Sequence, residues 1–342
     1  MSREVSVAIV GATGAVGQEF LKLFEERSFP VKSLKLLASE RSVGKTLIFK
    51  GQPVTIELAT EESVKGIDIV FFSAGATRSR ALIPAAIESG AIAIDNSSAF
   101  RMEEGVPLVV PEVNPEKLKS DSRLFPVANC TAIILTVAVA PLKKLGKIDR
   151  LIVSTYQSAS GGGASMMQLL EDETKAVVAG EVPPPSKLNT RYAFNLFSHN
   201  TPINEFGYNE EEAKVIEESR KILGMPDLKI NVTCVRVPIL RAHTETVTVE
   251  FDGPAPSEEA VREALASAAG VRVIDDRTAN RFPTPLDASG QGDVLVGRIR
   301  QDVSNPNAIS MLITGDQLLK GAALNAVQIA EEVLKLNPST VA

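Results

Sequence analysis

The chain has 342 residues, enough for two domains with cores of their own, and its 44% hydrophobic and 23% charged residues are the balance of a soluble globular protein. A net charge of −6 with interspersed signs leaves no basic block to track a phosphate backbone, so nucleic-acid binding is excluded as an expectation. Two cysteines, Cys130 and Cys234, make neither a disulfide framework nor a zinc site, so no metal and a reducing cytoplasmic setting are expected.

Val5-Ser6-Val7-Ala8-Ile9-Val10 predicts a buried parallel strand, and with that strand so close to Met1 no signal peptide is expected. It runs into Gly11-Ala12-Thr13-Gly14-Ala15-Val16-Gly17 and then a helix over 18–27, with Phe20, Leu21, Leu23 and Phe24 on one face. Strand, glycine turn and helix form the context of a dinucleotide site, in which glycines let the backbone approach a pyrophosphate at a helix N-terminus. The spacing here is G-x-x-G-x-x-G, and a plain turn is the other use of such glycines. The strand over 33–38 ends in Ser39-Glu40-Arg41-Ser42, where an adenine ribose is met. Glu40 there would favour NAD through the ribose 2′-hydroxyl, whereas Arg41 between hydroxyls, with Lys45 nearby, favours the 2′-phosphate of NADP; the balance favours NADP, and a solvated turn is the plain alternative.

Ile67 to Phe72 predicts the next strand, whose small-residue exit Ser73-Ala74-Gly75 suits a cofactor edge. A helix over 78–89 and a strand over 91–94 lead to Asp95-Asn96-Ser97-Ser98-Ala99-Phe100-Arg101. That polar cluster follows a strand end, so Arg101 is either an anion binder or a surface arginine. Leu108 to Pro115 predicts a strand and turn. Cys130 then opens an apolar run to Ala140 that predicts a buried helix. The first N–H groups of that helix are expected to point at the sulfur and favour a nucleophilic thiolate; a packed, inert thiol is the alternative. The longest apolar run, Ala132 to Leu142, is far short of the ~20 residues of a membrane span.

A strand over 151–156 opens a second domain and ends at Gln157-Ser158-Ala159-Ser160-Gly161-Gly162-Gly163, before a helix over 165–179. Residues 180–201 are loop-like, with Pro183-Pro184-Pro185, and His199 within them carries no signal. A helix over 209–223 starts on acids that suit its dipole. The strand over 228–237 embeds Arg236, which needs an anion from a carboxylate of the protein or of a substrate. His243 precedes a strand alternating Val247, Val249 and Phe251 with polar residues. A helix over 257–269, a short strand over 271–274, a loop-rich 277–293 and a strand over 309–314 follow. Residues 315–336 predict the final helix, striped by Leu318, Leu319, Ala322, Ala323, Ala326, Val327 and Ala330.

Eight motifs in chain order carry a resemblance. They are Gly11 to Gly17, Ala38-Ser39-Glu40-Arg41-Ser42-Val43-Gly44, Asn96 to Arg101, Asn129-Cys130-Thr131, Gln157 to Gly161, Glu211-Glu212-Ala213-Lys214, Val235-Arg236-Val237-Pro238 with Arg241-Ala242-His243, and Gly315 to Ala323. Together they resemble the bacterial aspartate-semialdehyde dehydrogenase family over nearly the whole chain. The resemblance implies an α/β fold with a Rossmann-type NADP-binding domain of residues 1–129 and 316–342. A catalytic and dimerisation domain of residues 130–315 is α+β, and the C-terminal helix returns to the first domain. It implies NADPH-dependent reductive dephosphorylation of L-4-aspartyl phosphate through a thioacyl enzyme on Cys130, in biosynthesis of lysine, methionine, threonine and isoleucine. His243 is then the acid/base and Gln157 orients the intermediate. Arg236 pairs the substrate carboxylate, Glu211 its ammonium, and Arg101, Asn96 and Lys214 the phosphate. The nucleotide rests on Gly11, Thr13, Gly14, Ala15, Val16, Ser39, Arg41, Ser42, Ser73, Gly75, Ser160, Gly161 and Gly162, with Asn325 near the nicotinamide. A homodimer is implied. The sequence departs from the family pattern at Ala128 and Ala132, where proline and Thr or Ser are usual. The alternatives are N-acetyl-γ-glutamyl-phosphate reductase, whose acylated substrate has no ammonium for Glu211, and a non-catalytic NADP-binding protein.

Overall fold

The computed structural model describes residues 4–336. The chain divides into two compact units, one reaching Ala128 and resuming at Ala322, the other Asn129–Gly321.

The first unit holds β1 (Val5–Val10), α1 (Ala15–Glu26), β2 (Val31–Ala38), β3 (Thr46–Phe49), β4 (Gln52–Leu58), β5 (Ile69–Phe72), α2 (Ala76–Glu88), β6 (Ile92–Asp95) and β7 (Leu124–Pro126), and takes back the last helix, α8 (Leu324–Leu336). Its sheet runs β3-β4-β2-β1-β5-β6-β7, parallel throughout except for β3. Alternation along β5 shows why both faces are covered. Phe71 packs in tilted contact with Phe20 and Phe24 of α1 at centroid distances of 4.8 and 5.2 Å. Phe72 points the other way, into a cluster with Leu82, Ile83 and Ala86 of α2. α8 is tied down by polar bonds, with Arg27 donating twice to Glu331 at 2.6 and 2.7 Å and Gln328 donating to Glu112 at 2.8 Å.

One sequence expectation fails here, and one hairpin goes unannounced. Leu108–Val110 forms no strand, although all three residues are buried. Side chains satisfy its backbone instead: Asn114 accepts from Val110 N–H and donates to the Leu108 carbonyl, and Asn325 donates to the Val109 carbonyl. The β3–β4 hairpin was unpredicted. Its two-residue turn is Lys50-Gly51, both at positive φ, which lacks the Asn or Asp that usually announces such a turn.

The second unit holds α3 (Cys130–Val139), β8 (Ile148–Gln157), α4 (Ala164–Val178), β9 (Phe197–Ser198), α5 (Glu210–Leu223), β10 (Lys229–Arg236), β11 (His243–Phe251), α6 (Glu258–Ala266), β12 (Val271–Val273), α7 (Pro285–Ala288), β13 (Val294–Gln301) and β14 (Ala308–Gly315). Its mixed sheet runs β12-β13-β14-β11-β8-β10-β9. α3 is apolar on all sides and accordingly buried from Thr131 to Val139. It packs against α5 and the sheet. β8 alternates inward Leu151, Val153, Thr155 and Gln157 with outward Ile152 and Tyr156.

The final helix begins later than residue 315. β14 continues to Gly315, Leu319–Ala323 form a π-helical turn, and regular helix starts at Leu324. The cause is Asp316. Its buried carboxylate accepts from Leu318 N–H, Leu319 N–H, Gly290 N–H and Arg241 Nε, and its carbonyl accepts from Gly321 N–H five residues on. These bonds hold residues 316–321 in the second unit and so place the return to the first beyond the expected residue 316. Asp316→Ala strands these donors and is expected to cost about 3 kcal/mol of unfolding free energy in a urea titration.

Candidate active site

In the first unit, the three glycines of the opening turn do three different things. Gly11 sits at φ +93°, and a Cβ there would lie 2.3 Å from the Ser73 carbonyl oxygen, so the exits of β1 and β5 can meet only over glycine. A Cβ on Gly17 would lie 2.4 Å from the Gly11 carbonyl, so the helix can pack onto its own turn. Gly14 is the N-cap of α1 and brings no side chain to the first-turn N–H groups, leaving that end open to an anion. Thr13, Ala15 and Val16 line the same turn. Ser73 and Gly75 follow β5, beside Gly11 at the point where strand order reverses.

A cleft of about 570 Å³ lies past β2, lined by Ser39, Glu40, Arg41, Leu58, Ala59, Thr60 and Arg78. Ser42 completes the turn that carries Ser39 and Arg41. Arg78, in the first turn of α2, is a second guanidinium in this cleft that sequence reasoning missed; its only signal was a place just after a cofactor-edge strand. Two arginines and hydroxyls around such a volume fit the 2′-phosphate end of NADP. Asn96 and Arg101 stay together after β6: the Arg101 guanidinium donates to the Asn96 carbonyl at 3.0 Å, and the Asn96 amide is buried with no hydrogen-bond partner among the described residues. Asn325 is buried on α8, holding the Val109 carbonyl.

In the second unit, sheet register builds the site. Arg236 of β10 lies opposite Gln157 of β8, and Thr244 of β11 lies opposite Tyr156, which places His243 next in line. Arg236, Gln157 and His243 thus form one row across three strands, all inward and buried. Two residues back, on the same face, Cys234, Thr155 and Glu245 form a second row. Gln157 is held at both ends of its amide, accepting from Thr155 Oγ1 at 3.0 Å and donating to Glu211 Oε1 at 3.0 Å. The same Glu211 oxygen accepts from Asn129 Nδ2 at 2.9 Å. Asn129 is the N-cap of α3, and Cys130 is the first residue of that helix. Glu211, at the N-terminus of α5, therefore joins the residue before the cysteine to the centre of the row.

The expectation that the first N–H groups point at the sulfur is corrected. Asn129 Oδ1 takes the Thr131 and Ala132 N–H groups at 3.0 and 3.2 Å. The Cys130 sulfur lies 4.0 Å from Thr131 Oγ1, and a Cβ on Gly321 would come within 2.8 Å of the Cys130 Cβ, so the π turn closes on the cysteine.

His243 is fully buried, and its Nδ1 receives the Ser158 N–H at 3.1 Å. A backbone N–H can only donate, so Nδ1 is unprotonated and the neutral ring carries its proton on Nε2. Burial, then the Arg236 charge, lowers the His243 pKa to about 3. Nε2 has no hydrogen-bond partner among the described residues. Arg236 donates from Nη1 to the Ser158 carbonyl at 3.0 Å, and no carboxylate among the described residues pairs with it. A Cβ on Gly161 would lie 3.0 Å from Arg236 Nη1 and 3.1 Å from His243 Nε2, so the bare glycine leaves space beside both. Ser160 is spent on structure, bonded to Ser158 Oγ at 3.0 Å and to the Gln317 amide. Gly162 is exposed beside Met166. Burial works against charge on Glu211, but the His199 ring in its charged form at acid pH, the two amide donors and Lys214 outweigh it and hold the carboxyl below the usual range. Lys214 pairs with Glu210 at 2.9 Å.

Two family profiles match the chain, one described as "Semialdehyde dehydrogenase, NAD binding domain" over residues 6–121, the other as "Semialdehyde dehydrogenase, dimerisation domain" over residues 139–320. The chain belongs to the semialdehyde dehydrogenase family. An aspartate-semialdehyde dehydrogenase of Synechocystis sp. is 50% identical over 331 residues, 97% of this chain and 98% of that protein. The structure of aspartate semialdehyde dehydrogenase II from Vibrio cholerae complexed with ASA is 39% identical, with a TM-score of 0.94 over 98% of this chain and 99% of that one. The Candida albicans aspartate semialdehyde dehydrogenase structure with NADP is 25% identical, with a TM-score of 0.76 over 98% and 99%. Within the semialdehyde dehydrogenase match, the first profile spans the glycine turn and the Arg41 cleft. The second spans Gln157, Glu211, Arg236 and His243, and Cys130 lies between the two matched segments.

Proposed function

We propose that this chain is an NADP-dependent phosphorylating aspartate-semialdehyde dehydrogenase, with the first unit holding the nucleotide and the second carrying the chemistry. The observation that carries the reading is the row of Arg236, Gln157 and His243, joined through Glu211 to the cap of the Cys130 helix. The Cys130 thiolate attacks the acyl carbon of L-4-aspartyl phosphate, a C–S bond forms, and the C–O bond to phosphate breaks. NADPH would be held by the glycine turn and the Arg41 cleft, and would supply hydride to the thioester. Gln157, fixed by Thr155 and Glu211, orients the acyl group. His243 donates an Nε2–H hydrogen bond to the oxyanion formed at the reacting carbon, and collapse of that oxyanion to C=O breaks the C–S bond and releases L-aspartate 4-semialdehyde and the thiolate. Arg236, with no carboxylate of its own, takes the substrate carboxylate. Glu211 meets the ammonium, and Asn96, Arg101 and Lys214 serve phosphate.

The product has the oxidation state and skeleton for biosynthesis of lysine, methionine, threonine and isoleucine in the cytoplasm. A homodimer through the second unit is supported by exposed Ile152 and Tyr156 on the outer face of β8, and by the profile's description as a dimerisation domain. Among the described residues, no helix is long and apolar enough to cross a membrane, and no group of His, Cys, Asp or Glu is placed to hold a metal.

The test is to mix purified protein with L-aspartate semialdehyde, NADP and phosphate and follow absorbance of the reduced nicotinamide. Reduction is expected there and not with N-acetylglutamate semialdehyde; the opposite preference, or none, refutes the reading. Arg41→Ala is expected to raise KM for NADP about tenfold or more, through loss of a charge-assisted bond, with little change for NAD. Equal losses for both would remove the 2′-phosphate from Arg41.

A further inference from the structure

The register that builds the catalytic row also brings in a residue from the irregular segment. β9 pairs antiparallel with the end of β10, Phe197 opposite Arg236 and Ser198 opposite Val235, and His199 N–H continues the ladder to the Cys234 carbonyl at 2.9 Å. His199 therefore stands opposite Cys234, on the face shared by Cys234 and Arg236. The N-terminus of α5 packs onto the same strand, with Glu212 accepting from Cys234 N–H at 2.9 Å. His199 is buried there, and its charged surroundings are Arg236, Glu211, Lys214 and Glu210.

Its protonation is set by neighbours. Thr201 Oγ1 accepts from Glu211 N–H at 3.3 Å and has its hydroxyl proton free to donate to His199 Nδ1, also at 3.3 Å, the direction on which the proposal rests. Burial, and after it the Arg236 charge, lowers the His199 pKa to about 4, so the ring is neutral near pH 7. A neutral imidazole that accepts at Nδ1 carries its proton on Nε2. Nε2 has no hydrogen-bond partner among the described residues.

We propose that His199 is a substrate-binding residue, its Nε2–H donating to the carboxylate of the amino-acid substrate alongside Arg236. The two donors differ in kind: Arg236 supplies charge, whereas His199 supplies a directional N–H fixed by Thr201. A substrate lacking the carboxylate loses both. The assignment rests on the proposed reaction, and its test keeps the two apart. His199→Ala is expected to raise KM for L-aspartate semialdehyde about 10- to 100-fold, the value of a hydrogen bond to a charged group, with kcat within about threefold. KM for phosphate and for NADP should not move. His199→Gln, which keeps an N–H donor, should recover most of the loss, and it stands in for the alanine variant if that does not fold. The decisive arm is 3-aminopropanal, the substrate without its carboxylate, on which wild type and variant should be equal. A penalty that persists on 3-aminopropanal, a rise in KM for phosphate instead, or an unchanged KM for the semialdehyde overturns the assignment. Absence of turnover in the wild type would instead overturn the proposed reaction itself.

Discussion

Cys130→Ala is expected to abolish semialdehyde oxidation, by a factor on the order of 10⁴ or more, because a covalent route has no substitute once its nucleophile is gone. The same protein should bind NADP as before, since the glycine turn and the Arg41 cleft belong to the other unit. Stability should move little. Cys130 is half-buried at the first position of α3, where the Asn129 cap serves Thr131 and Ala132, so the substitution removes one sulfur and no helix bond. The measurement is steady-state turnover beside NADP titration by fluorescence and a thermal melt. Turnover retained within tenfold would take the nucleophile's role from Cys130. Lost NADP binding or a collapsed melt would show that the cysteine is a structural part.

Cys130 shows how far the sequence carries. Its place at a helix start was readable, because a polar cap followed by an unbroken apolar run is a local signal. What the first N–H groups do was not readable, because Asn129 can cap them or leave them open with the same letters. The glycine turn was legible for the same local reason, down to the strand before it and the helix after it. The row of Arg236, Gln157 and His243 was not. Each residue was singled out alone, but their alignment depends on parallel pairing of β8 with β10 and antiparallel pairing with β11, and register over such separations leaves no mark in composition. His199 was invisible for that reason, sitting among prolines and polar residues with a ladder partner far along the chain. Leu108–Val110 misled in the opposite direction: an apolar run reads as a strand, and only Asn114 and Asn325 reveal that its backbone bonds to side chains.

Gly161→Ala is expected to lower kcat/KM for the semialdehyde roughly 10- to 100-fold without weakening the fold. Gly161 is exposed and is not among the residues at positive φ, so alanine fits its backbone. Restricting the unfolded chain by itself favours folding by about 0.4–1 kcal/mol, and the close contacts made by the new methyl offset that gain, so net stability should move little. The added methyl lands 3.0 Å from Arg236 Nη1 and from His243 Cε1, and 3.1 Å from Nε2. Neither neighbour yields freely. His243 is pinned at Nδ1 by Ser158, and Arg236 is held by the Ser158 carbonyl. A shift of a few tenths of an ångström therefore falls on the two groups proposed to meet the substrate, and the methyl fills the space beside them. The split between substrates decides what Gly161 does. If it serves the row, KM for the semialdehyde and kcat carry the loss. If it serves the nucleotide, as the resemblance implied, KM for NADP rises and the semialdehyde terms stay where they were.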